Sequence, residues 1–159
     1  MNIILGIDPG YGRLGYSVIK DEGGNLRLQT TGCIETSKDI SHAKRLSQIA
    51  NEIRELFEVH GPDRVVIEQL LFTKNQTTGL AVAEARGVVL AIAGAFDVDV
   101  IEIGPKQVKV GVTGYGNADK AQVQDMVMRI LNLESVPKPD DAADACAVAI
   151  CGAGIMATL

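Results

Sequence analysis

Two short apolar runs that each end in a carboxylate constrain this chain most. Residues 3–7 (IILGI) lead into Asp8-Pro9-Gly10, and residues 64–69 (RVVIEQ) carry Glu68 just before a polar loop. A continuous apolar run bounded by turn signals reads as a strand buried on both faces, the kind found in the parallel part of a sheet. Residues 98–103 (VDVIEI) read as a third such strand. Between the first and second runs, YSVIK (16–20) and LRLQTTGCIET (26–36) flank the turn sequence DEGGN and predict an antiparallel meander. From Ser41 to His60, Leu46, Ile49, Ile53, Leu56 and Phe57 recur at helical spacing, and Gly61-Pro62 ends the segment. The Ala-rich stretch 79–96 predicts a second helix, with Gly87 and Gly94 marking weak points or close packing. A short helix is expected over 105–110, a further one capped by Asn117 and running to about Leu131, and a terminal one starting at Asp140 or Asp141. The expected fold is α/β: a five-stranded mixed sheet flanked by helices, in one domain spanning 1–159.

Composition narrows the classes further. With 47% hydrophobic and 22% charged residues and no low-complexity tract, the chain is globular rather than disordered or fibrous. The longest uncharged apolar stretch begins at Ala145 and falls short of the roughly 20 residues that span a bilayer, so it reads as a buried terminal helix and no membrane is expected. The N-terminus has no basic leader and does not read as a secretory signal. Cys33, Cys146 and Cys151 are three cysteines without a CxxC, which argues against a disulfide framework or zinc and for a reducing, cytoplasmic compartment. Cys146 and Cys151 are expected in the core, and His42 and His60 in solvent.

The chemistry is expected from the acids. If the first and fourth strands are parallel neighbours, Asp8 and Glu68 stand side by side at the carboxyl edge, where α/β sheets place ligand sites. Partly buried like charges must share a proton or bind a cation. Asp141 and Asp144, three apart, lie on one helical face, and Asp144 interrupts an otherwise apolar segment. An acid in a first helical turn is ordinarily a capping or dipole device, which accounts for Asp141 better than for Asp144. Four oxyacids suit Mg²⁺ or Mn²⁺, and two such ions clamp a phosphodiester. Glu102 could be a fifth, although alternation in VDVIEI favours a surface position. The net charge of −5 argues at first against a nucleic-acid partner. Two divalent ions bring it to about −1. Lys74, Arg86, Lys106, Lys109 and Lys120 could then line a phosphate-binding face, though any one of them reads equally as solvated surface charge.

The sequence resembles the RuvC-type Holliday junction resolvases, crossover junction endodeoxyribonucleases of the ribonuclease H-like fold. The resemblance covers nearly the whole chain and rests on ILGIDPG with Gly15-Tyr16, IEQ with TKN, EARGV at 84–88, QVK at 107–109 and DDAADA at 140–145. It implies a homodimer that binds a four-way DNA junction and nicks two opposed strands symmetrically with Mg²⁺ or Mn²⁺, in recombination and repair, beside a branch-migration helicase complex. Asp8, Glu68, Asp141 and Asp144 match the family's catalytic acids, with Asp8 expected to bridge two ions. Lys109 and Lys120 match its lysines near the DNA backbone and active site, Lys120 counting as catalytic. Relatives place an aromatic residue against junction bases in the loop after Glu68. Here that loop holds Leu71 and Phe72, either of which could be the wedge, followed by Lys74 as a backbone contact. Relatives also commonly continue beyond the last helix with a polar tail, so contacts made by such a tail are expected to be missing. Helix 79–96 is the candidate dimer interface.

Other functions are weaker. Actin-like kinases share the first motif but need two domains around a nucleotide. A same-fold nuclease acting on RNA or on other branched DNA is the sharper rival, and a non-catalytic binding module does not account for four acids.

Overall fold

The computed structural model describes residues 1–70 and 76–156. Its elements run β1 (Asn2–Asp8), β2 (Arg13–Glu22), β3 (Asn25–Glu35), α1 (His42–His60), β4 (Arg64–Glu68), α2 (Gln76–Ala95), β5 (Asp99–Ile103), α3 (Pro105–Thr113), α4 (Lys120–Ile130) and α5 (Asp140–Met156). The strands form one sheet in the order β3-β2-β1-β4-β5, antiparallel from β3 to β1 and parallel from β1 to β5. This is the expected mixed sheet.

Alternation along β1 and β4 shows why their sequences are apolar throughout. Ile4 and Val66 face a cluster formed with α3, α4 and α5, whereas Leu5, Ile7, Val65 and Ile67 face one formed with α1 and α2. Both faces of the central strands are covered, so neither can carry polar side chains until the strand ends. β2 is longer than its apolar stretch predicted, because its ladder with β3 continues through Arg13 and Glu22, where only backbone pairing is required. Gly23 and Gly24, with φ of 68° and 93°, close the β2–β3 hairpin as two-residue turns of this hand demand.

Local chemistry sets the helix ends. Ser41 accepts from the Lys44 N–H at the start of α1, and Gly61 closes it in the left-handed region. The expected Asn117 cap is incorrect: Asp119 caps α4, its carboxylate accepting from the Gln122 N–H while the Gln122 side chain accepts from the Asp119 N–H. The reciprocal pair satisfies two orphan donors, whereas Asn117 would satisfy one. α2 begins at Gln76, three residues before the predicted start. Gly87 and Gly94 mark no close packing among the described residues, since a Cβ at either would meet none of their atoms within 4 Å.

α5 crosses the sheet at a separation that only glycine permits. A Cβ on Gly6 would lie 2.5 Å from the Ala145 carbonyl oxygen, and one on Gly15 would lie 2.0 Å from that of Asp141. These two glycines of β1 and β2 seat the helix directly on the strands. Among the described residues no helix is long and apolar enough to cross a membrane.

Candidate active site

The sheet brings the first two acids together. Ile7 and Ile67 are register partners in the parallel β1–β4 ladder, so Asp8 and Glu68 leave adjacent strand ends on the same side. Gly15 is the antiparallel partner of Asp8, and the first turn of α5 rests on it. The close approach at Gly15 therefore places Asp141 and Asp144 over the strand end that carries Asp8. Sequence spacing put the two aspartates on one helical face; the glycine aims that face at the strand acids.

The electrostatics follow from this crowding. Asp8 is pushed up to about 7, first by burial and then by the charges of Glu68, Asp144 and Asp141, against a smaller opposing pull from Lys120. Burial also raises Glu68, helped by Asp144. Asp144 is raised by burial, which outweighs the nearby Lys120. Lys120 Nζ contacts Asp140 Oδ2 at 3.0 Å and Asp144 Oδ2 at 3.2 Å. Its burial favours loss of the proton, but hydrogen bonding to Asp140 and the Asp144 charge outweigh that and hold it above its ordinary value. The cluster thus holds more negative charge than its neighbouring cation neutralises.

A cavity of about 240 Å³ opens beside the acids, lined by Glu68, Lys109, Lys120 and Asp144 over an apolar floor of Val108, Val123 and Ala147. α3 delivers Lys109 and α4 delivers Lys120. Lys106 does not join them; it borders a separate groove with Val110 and Cys151. Leu71, Phe72 and Lys74 lie outside the described residues. Glu102 points to the other face of the sheet, where it meets Arg86 Nη2 at 2.6 Å, and it is no part of the cluster.

The site also contains groups that sequence reasoning missed. Arg13 Nε lies 3.2 Å from Asp141 Oδ2. Nothing in the local pattern marks Arg13, which reaches Asp141 only because α5 docks over β2. Asp140, which the motif DDAADA contains, serves Lys120. His42 is exposed as expected, and both of its ring nitrogens are also engaged, by Tyr11 and Glu84.

The donor set fits a hard divalent cation: it is all oxygen, partly buried and under-neutralised. With the side chains as oriented, no three acidic, histidine or cysteine side chains among the described residues enclose a single ion-sized point.

A mixed five-stranded sheet with acids at two central parallel strand ends, and two more delivered by a helix across it, is the arrangement that the resemblance implies. The family model "Crossover junction endodeoxyribonuclease RuvC" matches residues 4–152. A protein of that description from Thermosipho melanesiensis is 49% identical over 148 residues, 93% of this chain and 94% of its own length. The structure of Thermus thermophilus RuvC superposes with a TM-score of 0.92 at 33% identity, covering 98% of this chain and 96% of the other. T. thermophilus RuvC in complex with Holliday junction substrate gives 0.95 at 31% identity, covering 99% and 96%. The chain belongs to the RuvC family of crossover junction endodeoxyribonucleases.

Proposed function

We propose that this protein resolves four-way (Holliday) DNA junctions by nicking two opposed strands symmetrically, as a homodimer that takes two Mg²⁺ or Mn²⁺ ions per active site. The observation that carries the reading is the convergence of Asp8, Glu68, Asp141 and Asp144 on one another, with Lys109 and Lys120 lining the cavity beside Glu68 and Asp144. Asp8, Glu68, Asp141 and Asp144 would hold the ions, which when bound supply Lewis-acid activation of water and of the leaving oxygen. Lys120 and Lys109 carry fixed positive charge to the scissile phosphate, where hydrolysis adds negative charge. Arg13 and Lys120 keep Asp141 and Asp144 from turning away while the acids are unloaded. Lys74 and Lys106 would contact the backbone farther out, and Phe72 or Leu71 would wedge the crossover. As the resemblance implies, a branch-migration helicase complex would supply the junction.

Dimerisation is supported by α2. Leu80, Gly87, Ala91 and Gly94 are exposed along one face, with open space over both glycines. A two-fold junction cut symmetrically calls for two sites related by a two-fold axis.

The test is incubation with a labelled synthetic four-way junction and a linear duplex of the same sequence, in Mg²⁺ and in EDTA. Symmetric paired nicks in the junction, dependent on Mg²⁺ and absent from the duplex, are expected. Junction binding without cleavage would leave a binding module, and cleavage of RNA in preference to the junction would favour the rival nuclease.

A further inference from the structure

Beside the carboxylates lies a hydrogen-bonded chain that the proposed reaction does not use. The turn between β1 and β2 is Pro9-Gly10-Tyr11-Gly12, so Tyr11 is its one side chain able to make a hydrogen bond. Tyr11 Oη is 2.6 Å from His42 Nδ1 at the start of α1. His42 Nε2 is 2.7 Å from Glu84 Oε2 on α2. A neutral imidazole with its proton on Nε2 satisfies both contacts, Tyr11 donating to Nδ1 and Nε2–H donating to the carboxylate.

The backbone of the same turn is held independently. Thr36 donates its hydroxyl to the Tyr11 carbonyl at 2.8 Å and its N–H to the Gly12 carbonyl at 3.0 Å. Arg45 donates to the Thr36 hydroxyl at 2.9 Å and places its guanidinium carbon 3.6 Å from the centre of the Tyr11 ring. Glu84 and His42 are each more than two-fifths exposed, and a polar contact so placed adds little to stability. What three segments so far apart in sequence gain here is orientation.

We propose that Tyr11, His42 and Glu84 are positioning residues for strand cleavage: their chain fixes the turn after Asp8 against α1 and α2, and so fixes how the Asp8 carboxylate is presented. This rests on the nuclease reading of the site.

Three variants test it. Tyr11→Phe removes only the hydroxyl and keeps the ring under Arg45; Glu84→Ala removes the acceptor for His42; Glu84→Gln keeps a neutral one. Each is measured for single-turnover junction cleavage in Mg²⁺, junction binding in EDTA and thermal midpoint. Tyr11→Phe and Glu84→Ala are expected to slow cleavage by about three- to tenfold, as small misplacements of a reacting group do. Binding and midpoint should stay at wild-type values. Glu84→Gln should recover most of the rate, and the Tyr11→Phe/Glu84→Ala double variant should be no slower than the slower single one, since both cut the same chain. Wild-type rates in every variant overturn the inference, as do losses that track binding or midpoint. If the wild-type protein cuts no junction the nuclease reading itself fails, which is a different result from wild-type cleavage with indifferent variants.

Discussion

Substituting Gly15 by alanine perturbs the site at the point where helix and sheet meet. The new Cβ would lie 2.0 Å from the Asp141 carbonyl oxygen and 2.6 Å from its carbon, both backbone atoms that no rotamer can move. Ordinary carbon–oxygen contact begins above 3 Å, so the first turn of α5 must retreat by about 1 Å. Overpacking of this kind costs about 1–3 kcal/mol. Catalysis should suffer more than stability, because Asp141 and Asp144 ride on the displaced turn while Asp8 and Glu68 stay on the strands. A misplacement near 1 Å is worth about a hundredfold in rate. Gly154→Ala in the same helix is the control: its Cβ meets nothing within 4 Å, and alanine in place of glycine should stabilise by up to about 1 kcal/mol. Urea denaturation reports the first quantity and single-turnover junction cleavage the second. Wild-type cleavage by a Gly15→Ala protein that folds normally would refute the argument that this glycine aims the helical acids at Asp8.

The raised Asp8 carboxyl makes the metal-free protein sensitive to pH. Its folded value of about 7 lies above its unfolded value of 3.8, so the native state holds the extra proton between those limits and stability falls as pH rises through that window. Asp8→Asn cannot ionise and should therefore be more stable than the wild type by about 2–4 kcal/mol at pH 8 in EDTA, with the gap closing near pH 4. Parallel pH profiles in denaturant titrations would show that the crowding of charge is not felt. Gly87→Ala separates a solvated α2 face from a packed one: on a free face it raises the thermal midpoint, whereas in a close two-fold contact it weakens the dimer, read by sedimentation at falling concentration.

Much of the frame was legible in the chain because it depends on local periodicity. Asp8 and Glu68 follow directly on residues that are buried throughout, 4–7 and 65–67, so their strand-end positions follow from where apolar character stops. The i,i+3 spacing of Asp141 and Asp144 is a property of any helix containing them. Where local signals competed, resolution needed neighbours: Asp119 displaced Asn117 as a cap because Gln122 stands three residues on to reciprocate.

What only the tertiary structure decided is the convergence of groups far apart in sequence. Lys109 enters the acid cavity and Lys106, one helical turn away, does not, because the rotation of α3 about its axis is set by packing rather than by composition. Arg13 meets Asp141 across 128 positions of chain, and His42 joins Tyr11 to Glu84, only once α5, α1 and α2 have docked. Hydrophobic periodicity tells each element which face to bury. It carries no record of which polar side chains from other elements will meet at the rim, since their directions are fixed by distances such as the one that Gly15 leaves open.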